Sequence, residues 1–199
     1  MSFRCTLLAG SIPALLVFVG AAALQDKSDP TRGGPEDASG KRDMTHAMPR
    51  PTKEHEWLKE RVGTWDCVVS CPMMGGPTKG TQVDKMFGEF WLRSEFEGVA
   101  MGKPFKGLML QTFDPTKQKY VTTWCDTTMP SLMVMEGTTD ASGKKLTSKG
   151  SGPDMEGKVV GYTNVLEVKG PDELLFTMYE TSKGPDDPST MKIEYKRRS

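Results

Sequence analysis

Two histidines in 199 residues set the first limit on what this chain does. Histidine is the usual base of a nucleophilic triad and the commonest nitrogen ligand of a metal. His46 falls in a polar stretch and His55 opens a short helical segment, so neither lies in the strand region that fills the rest of the chain. A Ser-His-Asp or Cys-His site, a zinc centre and a histidine-held haem are therefore disfavoured, and no catalytic residue, metal or cofactor is assigned. Charge of one sign is missing too, because 26 basic residues balance 26 acidic ones. Without a basic surplus there is no electrostatic footprint for nucleic acid or for an anionic lipid surface. Helical periodicity is absent beyond residue 62, which argues against the crossover helices that a parallel sheet needs.

One long apolar run is present, at the amino terminus. Residues 5–24 carry no charge, Arg4 precedes them, and Ala21-Ala22-Ala23 puts small residues where a signal peptidase reads. This is the layout of a secretory signal. The expectation is a signal peptide over residues 1–23, cleaved near Ala23, and a periplasmic or extracellular product with no membrane insertion after cleavage. An uncleaved anchor is the other reading, since about 20 apolar residues cross a bilayer; Gly10, Ser11, Pro13 and Gly20 weaken it. Cys5 precedes the run and is not placed for lipid attachment. Cleavage takes away Arg4 alone among charged residues, leaving 25 basic against 26 acidic. Residues 24–50 hold almost no large apolar side chain. Such a segment cannot offset its ordering entropy, so it reads as a disordered tether.

The domain is then residues 51–199. Pro51 to Val62 predicts a short helix: Thr52 suits the N-cap, and Glu54 and Glu56 suit the positive first turn. Trp57, Leu58 and Val62 fall on roughly one face, with Arg61 nearby. A helix this short needs something to pack against. From Gly63 the pattern changes to short alternating runs separated by nine turn segments, from CPMMGGPTKG to SKGPDDPS. Asp114-Pro115 and Gly170-Pro171-Asp172 are strong turn signals. Nine breaks predict ten strands, and sequential hairpins closing on themselves remove exposed edges. The fold class is all-β: an antiparallel up-and-down barrel with a short N-terminal helix.

The helix followed by Gly63-x-Trp65, in HEWLKERVGTWD over 55–66, resembles the opening of lipocalin-like, or calycin, barrels. With Gly102-Lys103-Pro104-Phe105-Lys106-Gly107, Tyr120-Val121-Thr122-Thr123-Trp124-Cys125-Asp126 and Ile193-Glu194-Tyr195-Lys196-Arg197, the domain resembles the bacterial family catalogued as domain of unknown function 1579. The resemblance covers 55–197 and implies a calycin-like barrel with no settled activity. In lipocalin-like barrels an arginine of the last strand lies across the tryptophan of Gly-x-Trp. The resemblance thus pairs Arg197 with Trp65 as a barrel closure. Alternation agrees on the face: Met191, Ile193, Tyr195 and Arg197 share one side of the last strand.

Aromatic rings mixed with a few polar groups suit a small-molecule pocket. Tyr120, Thr122, Trp124 and Asp126 share a strand face, as do Trp91, Arg93, Glu95 and Glu97 on another strand. Trp91, Glu95, Trp124 and Asp126 are the candidate ligand-binding residues; a filled core with these faces outward is the competing expectation. The same strands offer Glu95, Glu97, Asp126 and Glu136 as an acid–base pair, but no spacing selects two of them. Cys67, Cys71 and Cys125 remain after cleavage. Cys67 and Cys71 on one extended strand are too far apart to bond, which leaves two readings: one of them pairs with Cys125, or all three stay free. The 14 methionines read as adaptable packing rather than as copper(I) ligands in Cys71-Pro72-Met73-Met74 and residues 129–135. Gly75-Gly76-Pro77 beside them suggests a mobile, partly apolar barrel mouth. The function expected is binding of a small apolar or amphipathic molecule, or a structural envelope role; the alternative is a hydrolase or isomerase using strand carboxylates.

Overall fold

The structure, a computed structural model, describes residues 49–71 and 76–199. The signal segment, the tether up to residue 48, and Met73 and Met74 of the first hairpin loop lie outside the described residues. Helix α1 (Lys53–Lys59) precedes ten strands: β1 (Gly63–Ser70), β2 (Thr78–Phe87), β3 (Trp91–Ala100), β4 (Lys103–Asp114), β5 (Lys119–Asp126), β6 (Met133–Thr139), β7 (Lys145–Pro153), β8 (Val159–Gly170), β9 (Glu173–Glu180) and β10 (Met191–Arg197). Each strand pairs with its sequence neighbours, and β1 pairs antiparallel with β10, which closes the barrel. The turn segments fall where the sequence places them because each supplies the backbone geometry a hairpin needs. Between β3 and β4, Met101 and Gly102 both adopt positive φ, 50° and 74°. That is the pair of left-handed residues a two-residue hairpin demands.

Helix α1 covers one end of the barrel. At its start His55 accepts the backbone N–H of Thr52 at 3.0 Å, and the ring is buried edge-on to Phe90 and Phe113. Leu58 is fully buried, which contributes about 1.5–3 kcal/mol through removal of its surface from water. Trp57 donates its indole N–H to the Gly143 carbonyl at 2.8 Å in the β6–β7 turn, and the Tyr120 hydroxyl reaches the Glu54 carbonyl at 3.3 Å. Val62 departs from the expected helix face. The helix stops at Lys59, so Val62 is displaced from that face and is 40% exposed.

Closure is secured where the first and last strands meet. Trp65 and Arg197 are register partners, and the guanidinium carbon sits 4.1 Å from the centre of the Trp65 ring. Arg197 also donates to the carbonyls of Val62 at 2.6 Å and Glu60 at 2.9 Å. One side chain thus ties the last strand to the turn that follows α1. Gly63 is required beneath it: φ is +149°, and a Cβ there would stand 2.6 Å from Arg197 Nη1.

Candidate functional site

Pleat alternation decides what each strand turns inward. On β5 the inward set is Tyr120, Thr122, Trp124 and Asp126, of which the last three line an interior cavity of about 380 Å³. On β3 the inward set is Leu92, Ser94 and Phe96, all buried. The expectation for Trp91 and Glu95 is corrected here. Both lie on the outer wall; Trp91 is 38% exposed, and Glu95 is ion-paired to Arg93 in the open. The charge content of the two faces supplies the reason. Arg93, Glu95 and Glu97 outnumber one indole, and burying three charges costs far more than exposing one ring.

The interior has three levels. Nearest α1, Leu58, Trp65, Leu92, Phe113 and Tyr120 pack into a sealed core. Above it lies a polar belt. Arg61, contributed by the turn after α1, donates to the Gln111 side chain and lies 3.9 Å from Asp84. Gln82 donates to Asp84 at 2.9 Å, and Gln111 to Thr122 at 2.7 Å. Burial pushes the Asp84 carboxyl above the usual carboxylate range, against the pull of the Arg61 charge. Arg61 Nε and Asp84 Oδ2 have no hydrogen-bond partner, so the belt is charge-balanced but incompletely bonded. Neither Arg61 nor Asp84 stood among the residues expected from sequence. An arginine at a helix end and an aspartate inside an alternating strand read locally as surface groups.

The third level is the cavity wall toward the other end. Among the described residues eight methionines line the cavity: Met101, Met109, Met129, Met133, Met135, Met155, Met178 and Met191. With them stand Phe96, Phe105 and Trp124. The mouth opens among the β1–β2, β3–β4, β5–β6 and β7–β8 turns, where Met101 and Met155 are exposed. Asp126 closes one side of it. It accepts the Trp124 indole N–H at 3.0 Å and the backbone N–H of Thr128 at 2.8 Å. Burial raises its pKa, but these bonds outweigh burial and hold it below the usual range.

The other carboxylates singled out in the sequence do not converge on the cavity. Glu97 pairs with Lys106, and Glu136 with Lys117 and Lys119, all on the outer wall. Among the described residues Cys67, Cys71 and Cys125 are free thiols. Cys125 sits on the outward face of β5, which adjoins β4 and β6, whereas Cys67 and Cys71 are buried on and just after β1, which adjoins β2 and β10; neither pairing with Cys125 left open by the sequence forms. Burial pushes the Cys67 thiol up to about 12. Among the described residues no three His, Cys, Asp or Glu side chains gather as a metal site. No described helix is long and apolar enough to cross a membrane.

Comparison with known proteins adds the following. No curated protein matches the chain. Among solved structures, a redesigned β-barrel is 14% identical, with 76% of this chain and 100% of that one covered and a TM-score of 0.41. A de novo designed fluorescence-activating β-barrel is also 14% identical, over 71% of this chain and 96% of that one, with a TM-score of 0.40. A redesigned barrel bound to the small molecule DFHBI is 11% identical, over 69% and 99%, with a TM-score of 0.38. The family described as "Protein of unknown function (DUF1579)" matches residues 50–197, which hold the helix and all ten strands, and the chain belongs to that family.

Proposed function

We propose that this barrel binds a small apolar or amphipathic molecule in its interior cavity, and that it does so outside the cytoplasm after its signal segment is removed. The observation that carries the reading is the contrast inside the barrel. One end is packed shut, while the other keeps about 380 Å³ lined by thioethers and rings. That volume lies within the range of small-molecule sites. Methionine adapts to the shape of an apolar guest at low cost. The binding reading is favoured over strand-carboxylate catalysis by where the carboxylates sit. Glu95, Glu97 and Glu136 are engaged on the outer wall, and Asp126 serves its own loop. The test is calorimetric titration of the domain with a varied set of apolar and amphipathic compounds. Saturable one-to-one binding is expected, and a flat response across the set overturns the reading. Export is checked separately by intact mass of protein recovered from the cell envelope, expected to begin near Leu24; a mass retaining residues 1–23 favours an anchor.

A further inference from the structure

The cavity wall is not uniform, and the difference points to the shape of the guest. Trp124 lies between Met109 and Met133, its register partners on β4 and β6. The indole leans across Gly107, where a Cβ would collide with the ring, and its N–H is held by Asp126. Beyond Gly107 the ring meets Phe105, with centroids 6.4 Å apart and planes only 22° from parallel. Phe96 follows at 5.9 Å from Phe105. It lies over the paired glycines Gly80 and Gly98, and a Cβ at Gly98 would come within 2.9 Å of its ring. Three glycines thus leave room for Trp124 and Phe96 to lie along the wall, and Phe105 packs between these two rings. A ring fixed by a hydrogen bond and by its neighbours loses little freedom when a guest arrives. Flat faces attract flat faces beyond what buried area supplies, and thioether sulfur favours aromatic rings.

We infer that the cavity selects flat, conjugated ring systems over flexible chains, with Trp124 and Phe105 as the shelf on which the guest lies and the flanking methionines closing over it. The inference rests on the cavity-binding reading above and names its ligand class. At about 30 Å³ for each non-hydrogen atom, the volume admits roughly a dozen of them, or two fused rings with a substituent.

The test compares naphthol with decanol on the intact domain by calorimetry. The two have the same number of non-hydrogen atoms and one hydroxyl each. Decanol carries the larger apolar surface, so a shapeless cavity binds it more tightly. The expected result is the reverse order. Trp124→Leu and, independently, Phe105→Leu should each weaken naphthol by roughly three- to tenfold relative to decanol. Trp124→Phe should keep most of the preference. Decanol binding more tightly than naphthol, or equal losses for both compounds in the leucine variants, overturns the inference while the binding reading stands. If neither compound nor any other in the wider set binds, both fall together.

Discussion

The two ends of this barrel are built from the same alternating strands and end up with opposite properties. At the end under α1, Leu58, Trp65 and Leu92 are fully buried, and Arg197 clamps the first and last strands over the indole. At the other end the inward positions carry methionine and rings set over glycine, and the core gives way to a cavity. Close packing makes the first end a source of stability. Incomplete filling makes the second a place for a guest, because a wall without partner atoms forgoes contacts that a ligand can restore. Stability and binding should therefore separate along the barrel axis, and substitutions can test that separation.

The largest effect is expected from Leu58→Ala, which opens a cavity beneath α1. A loss of about 3 kcal/mol is expected in chemical denaturation, with the helix loosened from the barrel. Next comes Arg197→Ala. Removal of the ring contact and of the bonds to Val62 and Glu60 should cost about 2 kcal/mol and lower Tm clearly. Both losses should appear without ligand. If either variant keeps wild-type stability, the sealed end is not what holds the barrel closed.

A smaller effect concerns pH and the belt between the two ends. Burial raises the Asp84 pKa, so the folded protein holds this proton more tightly than the unfolded chain does. The contribution of Asp84 to stability is greatest below the ordinary carboxylate pKa, about 4. It declines as pH rises toward the folded pKa and then levels off. Asp84→Asn removes that titration. The stability of wild type minus that of the variant should fall with rising pH across this window. A difference that rises instead means that Arg61 holds Asp84 ionised throughout.

The smallest effects sharpen the contrast from the other side. Met133→Leu at the cavity wall keeps volume and should cost under about 1 kcal/mol. At the sealed end itself, Arg198→Ala removes only an exposed pair with Asp66 and should leave Tm essentially unchanged, because solvent screens such pairs. Met133→Leu matching Leu58→Ala would erase the distinction between the two ends.

Local sequence carried the punctuation and part of the polarity. Nine turn segments gave ten strands because Gly, Pro, Asp and Ser impose turn geometry wherever they cluster. The charge on Arg93, Glu95 and Glu97 was enough to send that face of β3 outward, although Trp91 drew the reading the other way. Lys192, Glu194 and Lys196 likewise left Ile193 and Tyr195 to face inward, and the Gly-x-Trp resemblance placed Arg197 beside Trp65. On β5 the two faces were balanced: Thr122, Trp124 and Asp126 are scarcely more apolar than Val121, Thr123 and Cys125, so barrel closure alone settled which set meets the cavity. Tertiary structure likewise decided that Arg61 and Asp84 meet inside, 23 positions apart in sequence, and that Gly107 lies under the Trp124 ring. Turn chemistry and alternation act over a few residues and are written in the chain. A cavity is the space left when ten strands close, and its shape depends on side chains that become neighbours only then.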